Sequence, residues 1–117
     1  MGSTNSSFYD FYNLLEGNDI SDYGGASSSA YGIEIQYQNY SKIISNTVGS
    51  NSTSQTGPLY GIRTGSGVNS FVDIIKNTVT DLSPGGSSIM YAITNSMGSQ
   101  SSSNGDFSAR FARHPVL

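Results

Sequence analysis

The chain has 117 residues, which sets an upper limit of one domain, and its 8 acids against 5 bases leave a net charge of −3. That balance argues against a nucleic-acid binder working by phosphate neutralisation, and the lack of Cys excludes disulfides and thiolate metal sites. Only 11% of the residues are charged, against about 25% in an average soluble domain, and Ser, Gly, Asn and Tyr take their place. The composition therefore predicts a small core, a chain that is expanded in isolation, and burial borrowed from a partner.

Residues 6–17 read as a short helix. Phe8, Phe11, Tyr12 and Leu15 fall on one stripe, Ser6 or Ser7 caps the start, and Gly17 suits the stop. Residues 21–30 form a Gly/Ser linker. Tyr31, Ile33, Ile35 and Tyr37 then alternate with polar or small residues, the period of a strand over 31–40. Tyr40, Ile43, Ile44 and Thr47 suit a helical turn or two ending near Gly49. Residues 50–58 are a polar loop, with a short extended piece at 59–62.

The strongest helical pattern lies at 69–82. Val68, Phe71, Val72, Ile75, Val79 and Leu82 make a continuous stripe, while Asp73, Lys76, Asn77, Thr80 and Asp81 face away. Ser83-Pro84-Gly85-Gly86 stops it. A further short helix is predicted over 88–97, followed by a second linker at 98–106. The tail at 107–117 is an arm with Phe107, Phe111, Val116 and Leu117 as anchors between Arg110 and Arg113. No internal repeat is read from the chain.

The chemistry is sparse. His114 is the single histidine and sits in the tail, without the rigid neighbourhood a general base requires. Gly61 to Gly67 precedes a predicted helix, but neither the phosphate-loop nor the dinucleotide spacing is met. No carboxylate spacing matches a calcium loop. Asn5, Asn39 and Asn51 head formal glycosylation triplets, of the kind a Ser/Asn-rich chain produces by chance. No basic start with an apolar segment marks a secretory signal, and no apolar run approaches the about 20 residues of a membrane span. Met1-Gly2-Ser3-Thr4-Asn5-Ser6 does fit the N-myristoylation pattern, with Gly2 as the lipid site.

The start at Gly2, the Gly/Ser/Asn-rich first part and the stretch Ile35-Gln36-Tyr37-Gln38-Asn39-Tyr40-Ser41-Lys42-Ile43 together resemble the small internal capsid peptide of picornaviruses. The resemblance covers about residues 1–82. The chain departs from it in its early helix and in the residues beyond 82. The resemblance implies a protein lining the inner face of a capsid, with Gly2 acylated and the Phe71–Leu82 helix acting on membranes.

These readings converge on mainly short α-helices with one strand and long Gly/Ser loops, extended and with little independent core. The whole of 1–117 is one assembly-dependent chain. The expected function is non-enzymatic: a minor or internal virion component laid along neighbouring subunits. A secreted or surface self-associating adhesive protein is the alternative, and a small α+β binding module the third reading. The partner-docking residues are Phe8, Phe11, Tyr12, Leu15, Phe71, Val72, Ile75, Val79 and Leu82. Expected partners are other subunits, a second copy of the chain among them, with weak membrane contact and no nucleic acid. No catalytic residue, metal or cofactor is expected.

Overall fold

β-Branched and aromatic residues recur in this chain in short runs separated by Gly, Ser and Asn, and each run folds as a strand. A computed structural model describes residues 9–65, 71–96 and 106–110. In chain order the strands are β1 (Asp10–Phe11), β2 (Leu14–Glu16), β3 (Asp19–Ile20), β4 (Ala30–Gln36), β5 (Gln38–Asn39) and β6 (Ser41–Ile44). They continue as β7 (Thr47–Ser52), β8 (Leu59–Gly65), β9 (Phe71–Ile75), β10 (Thr78–Pro84), β11 (Met90–Ser96) and β12 (Asp106–Arg110). No helix forms among the described residues.

Every strand pairing among the described residues is parallel. The sheets run β11-β8-β4, β12-β9-β6-β2 and β10-β7-β3, with a two-stranded β1-β5 step at one corner. Leu14 pairs with Lys42 and Phe71 with Asp106, so one coil takes 28 to 35 residues. The chain is thus a parallel β-solenoid with three faces, each successive coil laid on the last.

Stacking coils in register stacks like on like. Ile33, Ile62 and Ile93 form one inner row; Leu15, Ile43 and Ile74 form another; Ile20, Val48 and Val79 form the third. Ile33, Ile43, Val48, Ile62, Val72 and Ile74 are buried as one cluster between the faces. Tyr31, Tyr60 and Tyr91 stack outside, with ring centroids 4.8 and 4.7 Å apart.

One corner is held by amides. Asn46 is fully buried, and its Oδ1 accepts from the backbone N–H (3.0 Å) and the side-chain Nδ2 (2.9 Å) of Asn18. Its Nδ2 donates to Leu15 O and to Asn77 Oδ1. Asn77 repeats the pattern by donating to Ile43 O. The residues before these asparagines, Gly17, Ser45 and Lys76, all have left-handed backbones, with φ of 67°, 54° and 55°. This conformation turns the chain from one face to the next while the amides take up the backbone groups that the turn leaves unpaired.

The loops are tied by Gln55, which is completely buried. Its Oε1 accepts from Gly25 and Ala26, and its Nε2 donates to the carbonyls of Ser28 and Gly57.

The predicted helices are corrected. The stretch 6–17 carries β1 and β2 where it is described, 40–49 carries β6 and β7, 69–82 carries β9 and β10, and 88–97 carries β11. The period-two stretch at 31–40 is β4, broken at Tyr37 (φ 52°) before β5. The expectation of an extended chain with little core is corrected as well. The Cα radius of gyration is 14.8 Å, near the about 13 Å of a compact domain of this length and far below the about 35 Å of an unfolded one. The physical reason lies in the coil repeat. Each coil buries only a few aliphatic side chains, but identical rows in successive coils merge into one core, so a modest apolar content suffices.

Candidate interaction surface

A second corner of the solenoid is aromatic. Tyr12 and Tyr40 follow β1 and β5 and take the same left-handed turn, with φ of 59° and 53°. For bulky side chains this backbone is strained, by about 1–2 kcal/mol per residue. The neighbouring backbone fixes it. Tyr12 N–H donates to Asn39 O at 3.1 Å, and the Asn39 side-chain oxygen accepts from the N–H groups of Tyr40 and Phe71. The rings of Tyr12, Tyr40 and Phe71 then stack along the solenoid, with centroids 5.6 and 5.3 Å apart and planes within 15° and 7°. Phe11 flanks the stack, 6.4 Å from Tyr40.

These rings remain in water. Tyr12 is 74% exposed, Tyr40 49% and Phe11 45%, and Leu14 beside them is exposed too. Because the rings cover one another's faces, the corner presents mainly ring edges. A second group of exposed apolar side chains, Ile89, Met90 and Tyr91, lies at the start of β11.

Concave features accompany them. A cleft of about 690 Å3 lies between β2 and β4, lined by Asn13, Leu14, Leu15, Ile35 and Gln38 among others. Outside β3, β7 and β10 a groove of about 330 Å3 gathers Asp19, Asp22 and Asp81 with Ser and Thr hydroxyls. Among the described residues no three His, Cys, Asp or Glu side chains come close enough to hold a metal ion. Glu34 and Arg63 form an exposed ion pair across β4 and β8, with the guanidinium 5.2 Å from the Tyr31 ring centre. Tyr23 has its pKa pushed up to about 12 because burial disfavours its anion, and its hydroxyl donates to Tyr60 O at 2.7 Å.

The residues predicted to dock on a partner are divided by the fold. Phe11, Tyr12 and Phe71 come together at the aromatic corner. Val72 is buried, while Leu15 and Val79 pack half-buried against the core. Ile75 and Leu82 are half-buried. Phe8 and Gly2, with the tail residues Arg113 and His114, lie outside the described residues. The helical stripe at 71–82 is lost because alternate residues of β9 face opposite ways: Phe71, Asp73 and Ile75 outward, Val72 and Ile74 inward.

Tyr40, Leu14, Tyr91 and the asparagine row were missed. Their signal was a repeat. Ile43-Ile44-Ser45-Asn46-Thr47-Val48 recurs as Ile74-Ile75-Lys76-Asn77-Thr78-Val79, with Leu15-Glu16-Gly17-Asn18-Asp19-Ile20 as a looser copy. Tyr31-Gly32-Ile33 recurs as Tyr60-Gly61-Ile62 and Tyr91-Ala92-Ile93.

Fold and surface define the class: a small parallel β-solenoid with asparagine, isoleucine and tyrosine rows. Comparison with known protein families, with curated proteins and with solved structures finds no match to the chain.

Proposed function

We propose that this solenoid is a non-enzymatic structural part of a larger assembly, a virion being one such assembly, and that it meets its neighbours through the aromatic corner. The observation that carries the reading is the corner itself. Phe11, Tyr12, Leu14 and Tyr40 are large, apolar and exposed side by side, and two of them hold a strained backbone. Isolated exposed apolar residues are ordinary, whereas a contiguous patch marks a surface that another molecule covers. The low charge of the chain suits a protein that is not free in solution.

The test is fractionation of the native source on a density gradient, following the full chain. The proposal expects it to travel with a large particle. The double variant Tyr12→Asn, Tyr40→Asn should be released into the light fractions. Asn tolerates the left-handed turn, so the variant keeps its fold. A wild-type chain found only in the lightest fractions overturns the reading, and so does a double variant that stays in the particle.

A further inference from the structure

The aromatic corner runs on into the outer side of the sheet that holds β6 and β9. Tyr40 leads into β6, from which Lys42 and Ile44 face out, and Phe71, Asp73 and Ile75 face out from β9. The strand register sets Lys42 beside Asp73 and Ile44 beside Ile75. At the corner Tyr40 lies against Phe71. Lys42 and Tyr40 are exposed, and Phe71, Asp73, Ile44 and Ile75 are half-buried. These two strands thus show an aromatic row and an aliphatic row, with one lysine and one aspartate side by side between them.

That placing of charge decides how a second copy of this face fits upon the first. A two-fold axis that brings the two faces together lies in the plane between them, and it runs either across the strands or along them. An axis across the strands, over Lys42 and Asp73, sets Lys42 on Lys42 and Asp73 on Asp73, and turns the aromatic row onto the aliphatic one. An axis along the strands, midway between β6 and β9, exchanges the two strands and keeps their direction. Lys42 then faces Asp73 of the second copy, and Asp73 faces its Lys42. Ile44 falls on Ile75 and Tyr40 on Phe71, so each row meets its own kind. Packed sheets lie about 10 Å apart, a gap that a lysine and an aspartate side chain span together.

We propose that two copies of the chain pair face to face about this axis, with four charges of alternating sign at its centre. The inference rests on the assembly reading and deepens it by naming a second copy as the partner of the surface that includes Tyr40. The interface is isologous, the same patch serving on both sides, so it closes at two copies. The four described strands make the face about 19 Å wide. An interface of that size gives a weak dimer that forms as concentration rises.

The test follows the full purified chain by sedimentation over a range of concentration. Wild type should pass from monomer to dimer. Lys42→Asp sets aspartate against Asp73 of the second copy, and Asp73→Lys sets lysine against its Lys42. Each variant alone should therefore dimerise at least about tenfold more weakly, with the far-UV spectrum of wild type. Mixed in equal amounts, the two variants should form a dimer with one copy of each, because every facing pair is then of opposite sign. The double variant Lys42→Asp, Asp73→Lys should recover the wild-type dimer. The mixture separates this proposal from a loss of stability within one copy, which mixing does not repair. A wild type monomeric at every concentration overturns the proposal, as does a wild-type dimer that both single variants keep, or a mixture that stays monomeric. A monomeric wild type that still travels with a large particle on the density gradient overturns the self-pairing and leaves the assembly reading standing.

Discussion

Asn46 shows what a single side chain does in this architecture. Its amide satisfies two donors of Asn18 and the carbonyl of Leu15 in a place that water does not reach. Replacing it by Ala removes these bonds, and the partly buried Leu15 carbonyl and Asn77 Oδ1 lose a donor, each loss costing about 1–3 kcal/mol. Asn46→Ala is therefore expected to lower the unfolding free energy by about 3 kcal/mol or more in denaturant titration, whereas the exposed Asn51→Ala changes it little. Tyr23 provides a second readout at this scale. Its folded pKa is raised to about 12 from 10.0, so the folded chain holds the phenol proton more tightly than the unfolded one. Its contribution to stability is complete below pH 10 and is lost as the pH climbs through 12. Unfolding followed from pH 9 to 12 should show this decline, and Tyr23→Phe should flatten that part of it. At this scale the sequence was legible only in part. Gly17 was read as the stop of a helix; it takes instead the left-handed turn between β2 and β3. Ser45 and Lys76 take the same turn without the glycine that signals it.

At the scale of the element, β9 separates the two interpretations of one sequence. A helix over 69–82 would bury Phe71, Val72 and Ile75 on a common stripe. In the strand, Ile74 is 2% exposed and faces the core, while Ile75 faces out and is half-buried. Ile74→Ala should cost about 2–5 kcal/mol, and Ile75→Ala distinctly less. Equal losses would favour the helix. Sequence periodicity failed here for a physical reason. Phe-Val-x-Ile-Ile has apolar residues on both faces of the strand, because the outer face packs aromatic and aliphatic rows from coil to coil. Such a run lacks clean alternation and is easily fitted by a period of 3.6. The β-branched content of this stretch was the better guide, as it was for β4, where Tyr31, Ile33 and Ile35 were read as a strand. Of the surface residues, Phe11, Tyr12 and Phe71 were singled out from the sequence and do meet. They meet at a corner built by stacking, and Tyr40 joins them because its place in the coil matches theirs.

For the whole molecule the decisive quantity is the distance along the chain between residues that touch. Composition predicted an expanded chain because it counted apolar residues without their arrangement. A solenoid needs few of them, provided each recurs at the coil length. The two copies of Ile-Ile-x-Asn-Thr-Val carried that information, and the stretch between them, rich in Ser, Gly and Thr, hid it. Assembly through the aromatic corner depends on the coils being stacked in this register. Nuclear Overhauser contacts in the full chain test the register directly. The account predicts cross-peaks linking Asn18 to Asn46 and Asn46 to Asn77, and linking Ile33 to Ile62 and Ile62 to Ile93. Helical contacts between residues three apart over 71–82, with those long-range cross-peaks missing, would contradict it.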